Sequence, residues 1–333
     1  MSLYLDSGYL DFSGIASRGM PFNLIVGGRG TGKTYGALKY AIESGRRFMF
    51  MRRTQTQLDL INKPDFSPFK TINRDLGISV ETETASHYNA RFILDDETVG
   101  YSCALSTISS LRGFDASDID MIIYDEFIPE RHERPIVHEG TALLNAYETI
   151  NRNRELAGKP AVQLFALANS NDLGNPIFME LGLVLTADKM RSSGSEVYAD
   201  NERGILLIML ASSLISEQKT NTALYRLTAG SDFSRMSIGN EFSGEERSRI
   251  GSRPLREYTP LVTIGELTIY SHKSNREYYC TRHRSGSPAV YGSGDIERKR
   301  FCRSYSRLWD AFIEQRIVFE DYSLQLLFTK YFN

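Results

Sequence analysis

The sequence contains little that would mark an exported, membrane-bound or disulfide-stabilised protein. Only three cysteines occur among its 333 residues, too few and too scattered for a disulfide framework or a closed zinc site. No apolar run approaches the roughly 18 residues of a membrane span. The N-terminus also lacks a charged segment followed by an apolar stretch. We therefore expect a soluble protein of a reducing cytoplasm, with no membrane partner.

Positive and negative side chains are nearly balanced in number, so neither sign of charge dominates. The net charge is −2 and the sequence pI is near 6.3. A free-standing nucleic-acid binder would carry a global positive field, which this chain lacks. We find no internal repeats and no low-complexity tracts, which argues against solenoids and long disordered arms. Any contact with DNA must therefore come from local basic patches.

Strand and helix signals alternate in the first half of the chain. Residues 22–26 form a short apolar run before glycines, residues 35–44 have helical spacing, and residues 47–52 form a second strand, which together predict a βαβ unit. Further strands are predicted at residues 91–94, 102–105, 120–124 and 162–168, with a helix at 140–154. This alternation predicts an α/β fold with a mostly parallel, helix-covered sheet.

The pattern changes after about residue 185. An apolar strand at 205–210 is followed by a polar stretch at 212–230, typical of a linker. Hairpin strands are predicted at 261–270 and 277–281, and residues 301–332 have largely helical spacing. We expect three parts, which are a first domain at 1–205, a linker or small subdomain at 206–235, and a smaller α+β domain at 236–333.

The strongest chemical signal is the octapeptide at residues 27–34, which matches the G-x-x-x-x-G-K-[ST] pattern of a P-loop between a strand and a helix. Its backbone N–H groups can face phosphates, and the following helix adds its positive N-terminal end. Lys33 would reach the β- and γ-phosphates, and Thr34 would offer its hydroxyl to Mg²⁺. The predicted site for ATP with Mg²⁺ comprises Gly27, Gly28, Arg29, Gly30, Thr31, Gly32, Lys33 and Thr34.

A second motif, resembling a Walker B strand, spans residues 120–126 and ends in two consecutive acids. Asp125 can hold Mg²⁺ directly or through water, and Glu126 can orient and deprotonate an attacking water molecule. Two acids also commonly lie at the end of a strand only because that position is exposed to water. Their occurrence together with a P-loop favours the catalytic interpretation. Because a hydrolase needs such a base, the sequence predicts ATP hydrolysis.

Several further polar residues allow two interpretations each. Asn169 follows a predicted strand and is either a sensor of the γ-phosphate or an ordinary turn residue. Arg152 and Arg154, near a predicted helix end, are either arginine fingers for a neighbouring subunit or partners of the helix dipole. Arg112, in a Ser-Ser-Leu-Arg-Gly loop, is a second finger candidate or a surface arginine. The residues themselves leave these alternatives open.

Two basic regions are candidates for contact with nucleic acid. Residues 272–307 contain nine basic and three acidic side chains with tyrosines between them. Such a segment is commonly a solvated face, but it can also bind backbone phosphates, RNA or a protein partner. Arg52 and Arg53 follow the second strand and could face either DNA or the nucleotide. The sequence does not decide between these two directions.

Five segments together resemble the genome-packaging ATPases of small tailed bacteriophages, which are relatives of the large terminases. The similarity runs through about residues 20 to 180, and the Walker motifs are its specific part. The resemblance implies a P-loop NTPase of the additional-strand catalytic-glutamate type. The segments are residues 27–34, 51–53, 122–127, 151–155 and 167–169.

The resemblance also implies partners and roles. Members of that family form a homo-oligomeric ring, a pentamer, at the portal of an empty capsid in the cytoplasm of the infected bacterium and thread double-stranded DNA inward. A structural RNA adaptor is a further candidate partner. Arg152 would be the finger acting in trans, Arg112 a second basic residue across the interface, and Asn169 the coupling position after the fourth strand.

In larger terminases the C-terminal domain is a nuclease of RNase H type that binds two metals through a cluster of acids. Here the corresponding strand, residues 261–270, carries only Glu266. We therefore expect the C-terminal domain to resemble a degenerate RNase H-type nuclease without nuclease activity.

Other classes of function fit the same motifs. A P-loop helicase or a filamentous-phage-style assembly ATPase is one alternative, and a nucleotide switch or small-molecule kinase is another. A helicase would be stimulated by single strands, whereas a packaging ATPase would prefer duplex DNA and need a portal. A kinase would release little free phosphate, and Glu126 beside Asp125 argues against it.

Overall fold

The computed structural model divides the chain into two compact units, Met1–Ser243 and Gly244–Asn333. No helix within the described ranges is both long and apolar enough to cross a membrane. The structure describes residues 3–86, 88–111, 114–129, 133, 136–169, 172–210, 218, 221–231 and 248–332.

The first unit is built on a nine-stranded sheet with the order β3-β4-β5-β2-β6-β7-β1-β9-β8. The strands β5, β2, β6, β7, β1 and β9 are parallel, while β3, β4 and β8 pair antiparallel at the edges. The predicted mostly parallel sheet is thereby confirmed. Its strands are β1 (Phe22–Val26), β2 (Phe48–Arg52), β3 (Glu81–Thr84), β4 (Ala90–Leu94), β5 (Glu97–Ala104), β6 (Met121–Asp125), β7 (Gln163–Ala168), β8 (Val197–Asp200) and β9 (Ile205–Met209).

Helices accompany this sheet because its central strands are apolar on both faces. Every residue of β6, β7 and β9 is buried, as expected of strands covered on both sides. Short 3-10 helices lie at Pro64–Phe66 and Leu105–Leu111. The α-helices of the first unit are α1 (Phe12–Ala16), α2 (Lys33–Glu43), α3 (Gln55–Ile61), α4 (Lys70–Leu76), α5 (Glu139–Asn151), α6 (Pro176–Glu180), α7 (Val184–Ser193) and α8 (Ala223–Leu227).

Two boundaries differ from the sequence-based expectation. The first unit continues beyond residue 205, because β9 pairs in parallel with β1 inside the large sheet. Strand pairing joins distant parts of the chain, so the polar composition after β9 could not reveal it. Within the expected linker at 206–235, residues 211–217, 219–220 and 232–235 lie outside the described residues. Helix α5 ends at Asn151 rather than at residue 154, because Arg152 adopts a positive φ of 43°.

The second unit has a five-stranded sheet with the order β13-β10-β11-β12-β14. Its core contains side chains from the strands and from the helices, including Phe301 and Phe328. A 3-10 turn lies at Leu255–Glu257. The elements are β10 (Tyr258–Ile264), β11 (Leu267–His272), β12 (Tyr278–Thr281), β13 (Ala289–Tyr291), α9 (Asp295–Ser304), α10 (Arg307–Ile313), β14 (Ile317–Phe319) and α11 (Tyr322–Phe332).

Two predictions for this unit are corrected. The segment 261–270 is not one strand, because the chain turns at Gly265, whose φ is 53°, and β10 pairs antiparallel with β11. The helical segment 301–332 is interrupted by β14, a buried apolar strand that pairs in parallel with β12. Three apolar residues in succession fit a helix face and a short buried strand equally well.

Candidate functional site

The octapeptide at 27–34 forms the loop between β1 and α2. Gly30 and Gly32 have φ angles of 78° and 84°, in the region that favours glycine. A Cβ atom on Gly27 would lie 2.5 Å from Cβ of Leu210. Glycine is therefore required in this loop both for its backbone angles and for close packing.

Lys33 begins helix α2 and extends its side chain back over the loop. Its ammonium donates hydrogen bonds to the carbonyl oxygens of Gly27 (2.9 Å) and Gly28 (2.8 Å) and to Oγ1 of Thr31 (3.2 Å). The side chain is buried, with only 5% of the residue exposed. A positive charge at the N-terminus of an 11-residue helix is well suited to bind an anion such as a phosphate.

Thr34 and Asp125 meet although they are far apart in the sequence. The Thr34 hydroxyl donates a 3.0 Å hydrogen bond to Oδ1 of Asp125, the last residue of β6. Asp125 is only 4% exposed. A hydroxyl and a carboxylate oxygen are ligands that Mg²⁺ accepts readily, so this pair fits one face of a magnesium site next to the loop.

Glu126 follows directly and turns the chain out of the strand. Its φ of 58° is unusual for a residue with a side chain and costs about 1–2 kcal/mol. The side chain is 45% exposed, whereas that of Asp125 is 6% exposed. The two acids therefore have different surroundings, one buried against Thr34 and one accessible to water.

Arg52 lies in the same site. The sequence alone left open whether this side chain faces DNA or the nucleotide. Its Nη2 is 3.1 Å from Oδ2 of Asp125, and its Nη1 pairs with Oε2 of Glu126. β2 is the parallel neighbour of β6, with Met51 opposite Tyr124, so both strands end at the same edge of the sheet. Prediction of that pairing would have been the signal that Arg52 faces the acids.

Arg53, the next residue, points elsewhere and is completely buried. It donates to both carboxylate oxygens of Glu139, with Nε to Oε1 at 2.6 Å and Nη2 to Oε2 at 3.0 Å, and through Nη1 to Glu133 at 2.9 Å. Burial disfavours its charge, but the hydrogen bond to Glu139 and the negative charges of Glu139 and Glu133 together raise the pKa of Arg53. Arg53 is therefore an internal structural residue and faces neither DNA nor the nucleotide.

The position of Asn169 is set by β7, which lies between β1 and β6. The amide of Gly27 donates to the carbonyl of Ala168 (3.2 Å), and the amide of Phe127 donates to the carbonyl of Leu167 (3.1 Å). Asn169 directly follows this strand and is partly buried. The backbone thus places it at the sheet edge that carries both the loop and Glu126.

The arginines after α5 lie at the other edge of the sheet. Arg152 donates from Nη2 to the carbonyl of Phe114 (2.7 Å), two residues after Arg112, and is exposed. Arg154 donates to the carbonyl of Ile119 (2.7 Å) and pairs with Asp120, where β6 is about to begin. Arg154 is thus held by contacts within its own subunit. Arg112 itself lies outside the described residues.

Glu266, the acid singled out in the second unit, lies in the turn between β10 and β11. Its carboxylate is 3.1 Å from Nε of Arg282, which also pairs with Asp321. Within the described ranges, the chain brings together no group of three or more His, Cys, Asp or Glu side chains suited to a metal ion.

Comparison with known proteins connects this site to a family. Residues 6–264 match the profile of a family described as "Podovirus DNA encapsidation protein (Gp16)". The DNA packaging protein of Bacillus phage phi29 is 29% identical over 237 residues, which are 69% of this chain and 65% of that protein. That of Bacillus phage B103 is 27% identical over 225 residues, covering 66% and 64%. The matched region thus spans slightly less than two thirds of these relatives.

Two solved structures share the fold over nearly the whole chain. The bacteriophage Phi-29 viral genome packaging motor assembly matches with a TM-score of 0.69 at 22% identity, covering 99% of each chain. The Phi-28 gp11 DNA packaging motor matches with a TM-score of 0.66 at 21% identity, covering 96% of each chain. Since the family profile covers more than three quarters of the sequence, the chain belongs to the podovirus DNA encapsidation protein (Gp16) family.

Proposed function

We propose that this protein hydrolyses ATP with Mg²⁺ to drive double-stranded DNA through the portal into a preformed viral capsid. The observation that carries the catalytic part is the contact between Thr34 and Asp125 beside the buried ammonium of Lys33. Membership of the encapsidation family supports genome packaging as the use of that chemistry. The protein would work in the cytoplasm of the infected bacterium, at the procapsid portal.

The strand order supports a P-loop NTPase of the additional-strand catalytic-glutamate type. One strand, β7, separates β1, which precedes the phosphate loop, from β6, which carries the acids. In this arrangement Lys33 leaves the carbonyls of the loop to contact the β- and γ-phosphates. Thr34 and Asp125 would hold Mg²⁺, which supplies charge neutralisation as the γ-phosphoryl group departs.

Glu126 is proposed as the base for the attacking water. Its exposure and its position one residue beyond Asp125 allow the carboxylate to face a water near the γ-phosphate. Asn169 would sense the γ-phosphate or that water from the end of the neighbouring strand β7. A kinase transfers the phosphoryl group to an acceptor other than water and does not need a carboxylate that activates water. Hydrolysis therefore fits these residues better.

Arg152 is proposed to act on the nucleotide of a neighbouring copy. Helix α5, with 13 residues, is about 20 Å long. It runs from Glu139, which contacts Arg53 just beyond the end of β2, to Asn151, whose side-chain oxygen accepts from the amide of Val162 just before β7 begins. Such a separation prevents Arg152 from reaching its own phosphate loop. A closed ring of copies, a pentamer by family resemblance, would satisfy this requirement, with Arg112 as a second residue at the interface.

The C-terminal part, residues 236–333, is proposed to contact nucleic acid, the portal or a structural RNA adaptor through its basic segment. Contacts to backbone phosphates do not depend on the base sequence, so they suit a motor that must move any DNA. They also weaken as the salt concentration rises. We propose that this part is a degenerate nuclease, because Arg282 neutralises Glu266 and Asp321.

The test is phosphate release by the wild type, Glu126→Gln and Glu202→Gln, with duplex or single-stranded DNA at low and moderate salt. Glu202 is an exposed turn residue and serves as the matched control. We expect turnover stimulated by duplex DNA, its loss in Glu126→Gln and its retention in Glu202→Gln. Stimulation by single strands alone would favour a helicase. Absence of phosphate release under every condition would favour a nucleotide switch or a kinase.

A further inference from the structure

Arg52 provides one guanidinium for two carboxylates of the proposed site. It contacts Oδ2 of Asp125 at 3.1 Å, while Oδ1 of the same carboxylate accepts the Thr34 hydroxyl at 3.0 Å. The other side of the guanidinium pairs with Glu126. The Arg52 side chain is only 14% exposed, so water screens these charges weakly.

The neighbouring arginine shows that Arg52 is held less completely. All three nitrogens of the Arg53 guanidinium donate hydrogen bonds to carboxylates, and its side chain is fully buried. By contrast, Nε of Arg52 is buried and has no hydrogen-bond partner within the part of the chain that the structure describes. A buried donor without a partner weakens the hold on the side chain, so Arg52 is easier to displace than Arg53.

A divalent ion held by Thr34 and Asp125 would share the Asp125 carboxylate with the Arg52 guanidinium. The guanidinium and the divalent ion are both positive, so they would repel each other at this weakly solvated carboxylate. Each therefore lowers the affinity of the carboxylate for the other. Triphosphate bound at the loop adds negative charge beside the same carboxylate and shifts the balance toward the metal.

We infer that Arg52 competes with the metal ion for Asp125 and thereby makes metal binding depend on the triphosphate. The inference rests on the proposed function, because it assumes that the site takes Mg²⁺ together with ATP. By this competition, Arg52 would keep the site from binding metal before the nucleotide arrives.

The experiment measures the affinity of the full-length protein for Mn²⁺, without nucleotide, from the electron paramagnetic resonance signal of the free ion. In Arg52→Gln we expect about tenfold tighter binding than in the wild type, equivalent to about 1.4 kcal/mol. Arg52→Lys keeps the positive charge and should stay within about threefold of the wild type. Arg91→Gln removes a partly exposed arginine of β4 that pairs with Glu83 of the edge strand β3, outside the proposed site, and should change nothing.

The same titration is repeated with a saturating non-hydrolysable ATP analogue. The difference between Arg52→Gln and the wild type should then shrink to less than about threefold. Equal Mn²⁺ affinity of Arg52→Gln and the wild type without nucleotide would overturn the inference. Failure of every variant to bind the analogue would instead overturn the proposed function, so the two failures are distinct.

A second measurement uses the wild-type protein and therefore decides the question if Arg52→Gln does not fold. The Nε–H signal of Arg52 is assigned by its loss from the nuclear magnetic resonance spectrum of Arg52→Lys. It should shift when the analogue is added with Mg²⁺ and shift much less when the analogue is added with a chelator. Equal shifts under the two conditions would refute competition between Arg52 and the metal.

Discussion

Replacing Arg53 should strongly destabilise the first unit without touching the proposed site directly. Arg53 joins the end of β2 to Glu139, the first residue of α5, and to Glu133. The Tyr124 hydroxyl adds a 3.3 Å hydrogen bond to Oε1 of Glu139. In Arg53→Met the side chain retains similar volume but loses its charge, so Glu139 is left buried without its main partner.

The size of the effect follows from the complete burial of both side chains. Arg53 and Glu139 each have 0% side-chain exposure. Removing one member of a buried ion pair costs about 3–5 kcal/mol, because the remaining charge is uncompensated. Replacing both members with apolar residues, in Arg53→Met with Glu139→Leu, should recover most of this loss. Such a loss is a large part of the roughly 5–15 kcal/mol by which domains are stable.

The assay is urea unfolding followed by far-ultraviolet circular dichroism, with tryptophan fluorescence recorded in parallel. Trp309 is the only tryptophan of the chain and belongs to α10 in the second unit. We expect the dichroism transition of the first unit to move to lower urea in Arg53→Met, while the fluorescence of Trp309 reports the second unit separately. The control Arg91→Gln removes an ion pair that is about half exposed, so its cost should stay below about 1 kcal/mol.

Two results would contradict this reasoning. An unchanged midpoint in Arg53→Met would show that the buried pair contributes nothing to stability. A double variant whose loss equals the sum of the two single losses would show that Arg53 and Glu139 act independently.

Two further changes have defined outcomes. If Arg152 acts in trans, mixing the separately inactive Lys33→Ala and Arg152→Ala chains should restore phosphate release to about a quarter of the wild-type rate, because each site lies between two copies of a closed ring; a mixture as inactive as its components would refute this. In the second unit, burial raises the pKa of Glu277, but the hydrogen bonds from Tyr258 and Arg253 and the charges of Arg253 and Arg249 together lower it overall. A lowered pKa means that the stabilisation is present above the ordinary pKa of a glutamate and is lost as pH falls through the folded-state value. Glu277→Gln should therefore cost about 1–2 kcal/mol at neutral pH, read from the urea midpoint of Trp309 fluorescence, and little at low pH; an equal cost at both pH values would contradict the assignment.

Local chemistry alone determined the parts of this protein whose residues are neighbours in the chain. The octapeptide at 27–34 has a pattern whose glycines, lysine and threonine predict a phosphate site without knowledge of the fold. The apolar run ending in Asp125 and Glu126 and the alternation of strands and helices are equally local. These signals sufficed to predict a mostly parallel α/β sheet, which the strand pairing confirms.

Only the tertiary structure decided what the arginines contact. Arg52 and Arg53 are adjacent, yet Arg52, the last residue of β2, faces the acids of the site, whereas Arg53, one residue beyond the strand, is buried against Glu139. Which direction leads to which partner depends on β2 lying beside β6, and that pairing joins residues about 70 positions apart. The same applies to Arg152, whose distance from the phosphate loop is set by the direction of α5 across the sheet. Sequence periodicity predicts each element, but contacts between distant elements depend on how they pack together.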